Sequence, residues 1–329
     1  MSSDFSSSDP LISIVTPSFN QAQFLETTMR SVLDQEYPRI EYIVIDGGST
    51  DGSAELIRAH EAQLAYWTSE ADQGQAEAIN KGLRRTTGDI VAWINSDDVY
   101  LPGAFREAAE AFSAHPNAGM VYGDGIMVDS NFTILDRHTY PQVDVIDLLC
   151  FEVLLQPAVF MRRSALIDAG LLDASYHLIL DHELWVRMAC KYPIIHVPKF
   201  WALERTHAQA KTIAQAGAFV EEAQRLIRWA SSSESLSSIV LDNSRRVYAG
   251  LEVFAARRLI DQGTYGTAFR RIVRGFFHHP YTVMRYWYKV VQAGFSALGL
   301  GFLFELYRRT RRKLVYRGDV IDPNTGFKP

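Results

Sequence analysis

The amino-acid sequence predicts an α/β protein built on a doubly wound, mainly parallel sheet. Up to Asp98, short apolar segments alternate with segments whose apolar residues recur at helical intervals. Each apolar segment ends in turn-forming residues, which is the pattern of parallel strands joined by helices. The chain has 329 residues, 47% hydrophobic and 22% charged, which suffices for one large core and a smaller attached unit.

Four strands and three helices are predicted in this first part. The strands lie within LISIVTPSFN, IEYIVIDGGSTDGS, LAYWTSE and DIVAWINSDD. The helices lie within QAQFLETTMRSVLDQ, residues 53–65 and GQAEAINKGLRRTTG, and Gly88 is expected to close the last of them.

Strands and helices are also predicted beyond Asp98, in a less regular order. AGMVYGDGIMVD and TILDRHTY predict a hairpin, LLQPAVFMRRSALIDAG a strand followed by a helix, HLILDHELWVRMAC an amphipathic helix and YPIIHVPKFWALERTH a strand. After about Gln209 only helices are predicted. We therefore expect a disordered leader at 1–9, an α/β domain at 10–214 and a helical region at 215–329, with the boundary near Ala214.

Cysteine content and charge indicate a cytoplasmic protein with an anionic partner. Cys150 and Cys190 form no disulfide framework and have no metal-ligand spacing, which suits a reducing compartment. Residues 1–9 do not have the basic and apolar runs of a secretory signal. The net charge of −5 conceals a split, because 1–261 holds 21 basic and 35 acidic residues, whereas 262–317 holds eleven basic residues and one acid.

Polar side chains follow three of the predicted strands where each strand ends. Thr16-Pro17-Ser18 follow the first strand, Asp46 the second, and Asn95 to Asp98 the fourth. Open α/β sheets bind ligands along this edge, and adjacent carboxylates suit Mg²⁺ or Mn²⁺ completed by substrate phosphates. The alternative for each residue alone is a turn or a helix cap. The sequence has neither a P-loop nor a GxGxxG motif after the first strand.

Three segments carry a combination of motifs: SIVTPSFNQAQFLETTMRSVLDQEYPRIEYIVIDGGSTDGS, ADQGQAEAINKGLRRTTGDIVAWINSDDVYLPGAF and LILDHELWVRM. Together they resemble the family 2 glycosyltransferases, which have a GT-A fold, and the resemblance covers roughly residues 11 to 210. It implies a Rossmann-like, mainly parallel sheet flanked by helices, and a nucleotide-sugar donor lying across the strand ends.

The resemblance also implies a set of donor and metal residues. Thr16, Pro17 and Asp46 would hold the base and ribose, and Asp72 would lie near the base. NSDD stands where the family has its DXD signature. Asp97 matches the last Asp of that signature, which is the usual metal ligand, and Asp98 extends the acidic pair. Asn95 stands where many members have the first Asp. The implied cofactor is a divalent cation, Mn²⁺ or Mg²⁺.

The resemblance implies a general base in LDHELW. Asp181 matches the Asp of the family's ED motif, and Leu180 replaces the Glu. In inverting members this Asp takes the proton from the acceptor hydroxyl as its oxygen attacks the anomeric carbon. The alternative is an N-cap, because Asp181 opens a predicted helix, and the two roles can coexist. Glu183, two positions on, is less favoured than Asp181 as the base but could position the acceptor.

Three further residues are weaker candidates. The amide of Gln156, at a predicted strand start, would suit binding of an acceptor hydroxyl. Trp201 could stack on a sugar face, although a buried core position is the commoner place for a Trp. His207 matches a loop in which many relatives place a His near the diphosphate, so it is a candidate metal ligand or phosphate partner, with a surface histidine as the alternative.

The C-terminal region predicts a membrane-associating extension. Aromatic, Arg and Lys residues surround an apolar run at 295–304, which is about half the ~20 residues needed to span a bilayer. This length suits an interfacial segment on an anionic leaflet. The alternative is a helical subdomain packed on the core or on a second copy in a homodimer. No nucleic-acid recognition motif is present.

The sequence thus predicts an inverting, metal-dependent glycosyltransferase of surface-polysaccharide synthesis, cytoplasmic and peripheral at the inner face of the membrane. UDP is the expected nucleotide, ahead of GDP and dTDP, and the acceptor is a glycan or a lipid-linked glycan. One alternative is a catalytically silent module that binds a nucleotide sugar or glycan. A nucleotidyltransferase is a further alternative, but TPSFNQAQF is not its Gly-rich phosphate loop.

Overall fold

The computed structural model describes residues 9–206, 216–297, 299–316 and 319–323. These residues divide into two compact units. The first, which we call the α/β unit, takes 9–142, 154–206 and 319–323. The second, the helical unit, takes 143–153 and the described part of 208–318. Ala214 and residues 1–8 lie outside the described residues. The segment 143–153 joins the helical unit although the sequence predicted it within the α/β domain.

The α/β unit begins with alternating strands and helices. In chain order they are β1 Ile12–Ser18, α1 Ala22–Leu33, β2 Ile40–Asp46, α2 Ser53–Ala59, β3 Tyr66–Ser69, α3 Gln75–Leu83, β4 Ile90–Trp93, β5 Val99–Tyr100, α4 Ala104–Ala114, β6 Met120–Val128 and β7 Ile134–His138. The helix predicted over 53–65 is α2 followed by a 3₁₀ turn at Glu61–Gln63. The third helix ends at Leu83, before Gly88.

The remaining elements alternate between the two units and end in helices. They are α5 Val145–Leu149, β8 Val159–Arg162, α6 Arg163–Ala169, α7 Leu180–Lys191, β9 Ile194–Arg205, α8 Ala216–Ser232, α9 Ser237–Asp242, α10 Ser244–Asp261, α11 Tyr265–His278, α12 Pro280–Met284, α13 Trp287–Ala297 and α14 Gly301–Val315. None of the helices within the described ranges is long and apolar enough to cross a membrane.

The nine strands described form one sheet in the order β3-β2-β1-β4-β8-β6-β9-β5, with β7 paired to β6. The first four strands in this order are mutually parallel, as the sequence predicts. The pairs β4-β8, β6-β8 and β5-β9 are antiparallel, whereas β6 and β9 are parallel. The predicted hairpin is β6-β7, also antiparallel.

In the α/β unit, α1 packs on this sheet with one face because its apolar residues recur every three or four positions. In α1, Leu25, Met29 and Val32 are fully buried. They share a core with apolar residues of β1, β2 and β4, for example Ile14, Val44 and Ala92. This core fixes the strands in a parallel register, and so their carboxyl ends lie along one edge.

Candidate active site

The register of the parallel strands brings the polar strand ends into one row. Ser18 pairs with Asp46, and Asp46 pairs with Ser69, so the last residues of β1, β2 and β3 are direct neighbours. Trp93, the last residue of β4, pairs with Val15 in β1. The loops after β1, β2 and β4, where the sequence places its candidate donor residues, therefore leave the sheet at the same edge.

Asp46 is fully buried and holds the turn that follows β2. Its Oδ2 accepts hydrogen bonds from the backbone N–H of Gly48 (3.2 Å) and of Ser49 (2.9 Å) and from Oγ of Ser69 (2.6 Å). Its Oδ1 accepts from Oγ of Ser49 at 2.5 Å. A carboxylate with these four bonds fixes the backbone of the turn, and its contact with a nucleotide base stays a prediction.

Asp72 lies directly over the end of β2 because residue 47 is glycine. A Cβ at Gly47 would come 2.6 Å from Oδ2 of Asp72 and 3.3 Å from the ring of Phe19. Oδ1 of Asp72 accepts from the N–H of Gly74 at 2.9 Å, which fixes the carboxylate. Asp72, Gly47 and the exposed ring of Phe19 thus border one surface, and sequence reasoning missed Phe19.

Thr16 and Pro17 do not face this surface with polar atoms. Thr16 is fully buried, and its Oγ1 is 3.0 Å from the hydroxyl of Tyr42. Pro17 is buried as well and has no polar side-chain atom. The side chain of Thr16 points into the core, so a contact of Thr16 with the base or ribose would have to come from its backbone, and the predicted role of Thr16 and Pro17 at the base and ribose stays a prediction.

The Asn95–Asp98 turn is held by hydrogen bonds from two helices. Oδ1 of Asn95 accepts from Nε2 of Gln75, the first residue of α3, at 2.7 Å. Oγ1 of Thr28 in α1 lies 2.9 Å from the carbonyl O of Ser96 and 2.7 Å from that of Asp98, and donates there. Asn95 thus holds the turn through its side chain, and Gln75 and Thr28 are site residues that sequence reasoning missed.

The two carboxylates of this turn have different surroundings. Asp98 is 4% exposed, and its Oδ1 accepts from the N–H of Arg205 at 3.0 Å while its Oδ2 accepts from Nδ2 of Asn95 at 3.2 Å. Burial, and then the charges of Asp97 and Glu204, raise the pKa of Asp98 well above its usual value. Asp97 is only half-buried. The contacts of Asp98 lie within the protein and disfavour it as a metal ligand.

Arg205, the last residue of β9, brings a cation to the acidic turn. Its guanidinium lies over the rings of Phe24 and Phe132, at 4.5 Å and 4.6 Å from their centroids. Burial lowers the pKa of Arg205, and the charges of Asp98 and Asp97 oppose that shift. Its Nε and Nη2 are buried without a hydrogen-bond partner among the described residues. Sequence reasoning missed Arg205, although it is a charged residue at the end of a predicted strand, as Asp46 is.

Asp181 and Glu183 lie in the first turn of α7 but face different surroundings. The N-cap of α7 is Ile179, so Asp181 is not the cap. Oδ1 of Asp181 accepts from the N–H of His182 at 2.7 Å, and the positive end of the helix dipole stabilises its charge. Asn80 of α3 donates to the carbonyl O of Leu172 and accepts from its N–H, which ties the segment before α7 to the helix that contacts Asn95.

Both carboxylate oxygens of Glu183 form an ion pair with Arg187. It is 4% exposed, and its two oxygens bind Nε and Nη2 of Arg187 at 2.7 and 2.8 Å. Arg187 also donates to the carbonyl oxygens of Gly170 and Leu171. The bidentate partner of this buried carboxylate disfavours a role in positioning the acceptor, which stays a prediction.

The other acceptor-side candidates have mixed outcomes. Gln156 lies in the 3₁₀ turn Gln156–Ala158 before β8 and not at the strand start. Its Nε2 donates to the carbonyl O of Trp93 at 2.8 Å. Trp201 is 0% exposed and donates from Nε1 to Glu107, so the predicted stacking on a sugar is wrong for this core side chain. His207 lies outside the described residues.

The described residues offer one half-exposed carboxylate for a cation at the Asn95–Asp98 turn. They contain no group of three or more His, Cys, Asp or Glu side chains placed to hold a metal ion. Asp97 fits a site of the kind in which Mg²⁺ or Mn²⁺ keeps several waters and binds one or two carboxylates together with substrate phosphates.

Comparison with known proteins identifies the class of protein that this fold and site define. The sequence profile of "Glycosyl transferase family 2" matches residues 13–154. An uncharacterized glycosyltransferase of Mycobacterium tuberculosis is 33% identical over 186 residues, which are 55% of this chain and 70% of the relative. The putative teichuronic acid biosynthesis glycosyltransferase TuaG of Bacillus subtilis is 40% identical over 131 residues, 39% of this chain and 52% of TuaG.

Two solved structures have the same fold. S. aureus TarS 1–349 in complex with UDP-GlcNAc matches with a TM-score of 0.55 and 13% identity, over 86% of this chain and 91% of TarS 1–349. The mannosyltransferase PcManGT of Pyrobaculum calidifontis, in complex with GDP-Man and Mn²⁺, matches with a TM-score of 0.58 and 20% identity, over 90% of this chain and 88% of its own. The predicted GT-A fold is confirmed.

The chain is a glycosyltransferase. It belongs to glycosyltransferase family 2, as the profile match and the 33% identical relative show, and the predicted family is therefore confirmed.

Proposed function

We propose that this glycosyltransferase is an inverting, metal-assisted enzyme that moves a sugar from a nucleoside diphosphate onto a hydroxyl of a glycan or lipid-linked acceptor in polysaccharide synthesis. The observation that carries the proposal is the row of strand ends at one edge of the sheet. Asp72 lies at one end of that row and the half-buried Asp97 at the other. A nucleotide-sugar donor lying along this row would have its base near Asp72 and its diphosphate near Asp97.

The base of the donor lies against Asp72, Gly47 and Phe19 in this proposal. Phe19 is 60% exposed and provides an aromatic face, and Asp72 provides an acceptor for the N–H groups of a base. Asp46 contributes by holding the turn between them. TarS binds UDP-GlcNAc and PcManGT binds GDP-Man, which supports a nucleotide-sugar donor here, with UDP as our first choice.

The diphosphate lies at the Asn95–Asp98 turn in this proposal. Asp97 would hold Mn²⁺ or Mg²⁺, and PcManGT, which has the same fold, is solved with Mn²⁺. A cation held there would supply positive charge to the departing nucleoside diphosphate. Arg205 holds a second positive charge beside Asp97 and Asp98, with buried N–H groups directed at no described partner.

Asp181 is the general base in this proposal. Its carboxylate accepts the proton of the acceptor hydroxyl while that oxygen forms a bond to the anomeric carbon. The bond from this carbon to the diphosphate oxygen breaks on the opposite face, so the configuration inverts. Residue 181 suits the role because it lies in the first turn of α7, where the N–H of His182 and the positive end of the helix dipole stabilise its charge.

The acceptor side is supported by Gln156 and by the relatives. Oε1 of Gln156 is buried without a partner among the described residues, and its Nε2 contacts the end of β4. This oxygen suits the hydroxyl of a sugar. TuaG is named for teichuronic acid biosynthesis, which supports a polysaccharide acceptor. Both cysteines are free thiols, in keeping with the cytoplasmic location that we propose.

A panel of donors tests this function. The purified protein is incubated with UDP-, GDP-, dTDP- and CMP-sugars, with and without Mn²⁺ and with lipid-linked acceptors, and the released nucleotide and the anomeric configuration of the product are measured. We expect Mn²⁺-dependent turnover of one donor. Asp97→Asn and Asp181→Asn should each lower kcat by a factor on the order of 10³.

Asp34→Asn is the matched control, because it makes the same change at an exposed carboxylate. Turnover that survives Asp181→Asn would identify a different base. Tight nucleotide binding without turnover of any donor, in the presence of acceptors, would contradict the proposal and favour a binding module.

A further inference from the structure

The helical unit carries apolar side chains on its surface in stripes. On α11, Ala268, Ile272 and Gly275 are buried, whereas Phe269, Val273, Phe276 and Phe277 are exposed. Both sets have the spacing of a helix face. One face of α11 thus packs inside the helical unit, and an adjacent face presents aromatic rings to solvent.

Two neighbouring helices repeat this arrangement. On α13, Trp287, Tyr288, Val291 and Phe295 are exposed on one face, whereas Ala293 is buried. On α14, Phe302, Leu303, Leu306 and Tyr307 are exposed, at separations of one, three or four positions as on α11. α11 packs against α13, and α13 against α14. The ring of Phe269 lies 4.0 Å from a Cβ placed at Gly294, so the α11 stripe meets α13 next to Phe295.

The cations beside these stripes divide into paired and unpaired ones. Arg271, Arg285 and Lys289 form ion pairs with acidic residues of the helical unit. Arg270 and Arg274 are exposed on α11, next to the Phe269–Phe277 stripe, and neither forms an ion pair among the described residues. Arg311 on α14 is also exposed and forms no ion pair among the described residues. Between 262 and 317 the sequence has eleven basic residues and one acid.

We propose that the exposed stripes of α11, α13 and α14 form a docking surface for an anionic lipid bilayer. The apolar rings enter the boundary between headgroups and acyl chains, and Arg270, Arg274 and Arg311 contact the lipid phosphates. Trp and Tyr suit this boundary because they combine an apolar body with a polar tip, and Trp287, Tyr288, Tyr281 and Tyr307 are all exposed.

Charge decides between a bilayer and a second copy of this chain. A symmetric contact would bring the same face of two copies together, and each face carries the unpaired arginines with few acids in the sequence around them. Like charges would then meet at the rim and oppose association. A leaflet with anionic lipids provides the opposite charge, so the bilayer is the occupant that the charge favours.

Vesicle sedimentation with the full chain tests this surface. Its partition onto phosphatidylcholine vesicles is compared with that onto phosphatidylcholine–phosphatidylglycerol vesicles. We expect at least about tenfold stronger partition onto the anionic vesicles, weakened by added salt. The double variants Phe276→Ser/Phe277→Ser and Arg270→Glu/Arg274→Glu should each lower the partition at least about tenfold.

Two matched controls make the same changes elsewhere on the helical unit. Leu241→Ser alters a 74% exposed apolar side chain on α9, and Arg228→Glu reverses an exposed charge on α8. Both should partition like the parent protein. All of these positions are exposed, so circular dichroism should report an unchanged fold for each variant.

Three results would overturn the proposal. The first is equal partition onto neutral and anionic vesicles, and the second is a partition that neither double variant changes. The third is a dimer that forms without lipid and dissociates in the Phe276→Ser/Phe277→Ser variant. The last would identify a second copy as the occupant. Nucleotide release with a short, soluble acceptor is measured in parallel and does not depend on the outcome, so failure of this surface and failure of the proposed chemistry are distinguishable.

Discussion

The two units of this protein differ in how many large apolar side chains they expose. Among the described residues of the α/β unit, the large exposed apolar side chains are Phe19, Ile167 and Val320. The described residues between 269 and 315 in the helical unit include seventeen such side chains. An ordinary monomer has exposed apolar residues scattered singly, as the α/β unit has. The stripes of the helical unit are continuous along helices, and this difference marks a surface that functions in contact with something else.

Charged groups show the same contrast. In the α/β unit, Asp46, Asp98 and Glu183 are all less than 5% exposed, and each is held by several hydrogen bonds. In the helical unit, Arg270 and Arg274 are exposed without ion pairs among the described residues. Buried, satisfied charges fix the shape of a site, whereas exposed cations remain available to a partner.

Glu183 provides the sharpest test of the α/β unit, with the largest expected effect on stability. Glu183→Gln removes the charge that pairs with Arg187 in a buried place, and we expect it to lower the free energy of unfolding by about 3 kcal/mol. The KM for acceptor should not change, because both Glu183 oxygens face Arg187. Urea unfolding and acceptor titration measure the two quantities.

Asp181→Asn is the control for Glu183, since it makes a carboxylate-to-amide change two residues away on the same helix. It should abolish most turnover and lower stability by less than Glu183→Gln does, because its charge lies at the half-buried start of the helix and not in a buried ion pair. If Glu183→Gln instead has the stability of the parent and a raised KM for acceptor, Glu183 positions the acceptor.

Gly250 provides the corresponding test of the helical unit. A Cβ at residue 250 would come 2.6 Å from the Cα of Cys150, a backbone atom that cannot move aside. Gly→Ala inside a helix normally stabilises by about 1 kcal/mol, but Gly250→Ala should destabilise by about 2 kcal/mol. Gly217→Ala is the control, because a Cβ there meets nothing within 4 Å and α8 should tolerate or gain from it.

Thermal unfolding of both variants checks this prediction. A stabilised Gly250→Ala protein would mean that α10 and the 143–153 segment are not packed as closely as the structure has them.

The order of elements in the α/β unit could be predicted from sequence because local patterns determine it. Apolar runs such as Ile12–Ser18 and Ile40–Asp46 end in polar turns, and the helix between them has a clear apolar face. The edge that carries the site follows from parallel pairing alone. The family followed from the motifs, and the match with glycosyltransferase family 2 confirms it.

The side-chain roles at that edge could not be predicted in the same way. Asp97 and Asp98 are adjacent in sequence, and only the three-dimensional contact of Asp98 with the N–H of Arg205 separates them. Trp201 and Glu183 were attractive by residue type, but their partners Glu107 and Arg187 come from packing. The 143–153 segment is similar: its apolar residues predict burial, not which unit buries them.

Thr28 tests how far α1 determines the shape of the Asn95–Asp98 turn. Thr28→Val keeps the volume but removes the donor shared by the carbonyls of Ser96 and Asp98, and we expect a loss of about 1–2 kcal/mol in stability. If the turn positions Asp97, the Mn²⁺ concentration for half-maximal turnover should rise as well. Thr28→Ser retains the hydroxyl and should behave like the parent. Parental stability and Mn²⁺ response in Thr28→Val would mean that the turn keeps its shape without α1.

Cys150 gives the smallest effect at neutral pH and tests whether the start of the helical unit is buried. Burial raises the pKa of its thiol to about 12. Because the folded-state pKa lies above the unfolded-state value of about 9, deprotonation above pH 9 favours the unfolded chain. Relative to Cys150→Ala, the parent should therefore lose stability between pH 9 and 12, by up to about 1.4 kcal/mol per pH unit, and lose none below pH 8. Urea unfolding of both proteins across this range, each in a Cys190→Ser background, measures the difference. A difference that stays flat up to pH 12 would mean that this thiol is in water, and that segment 143–153 is not part of the helical unit's core.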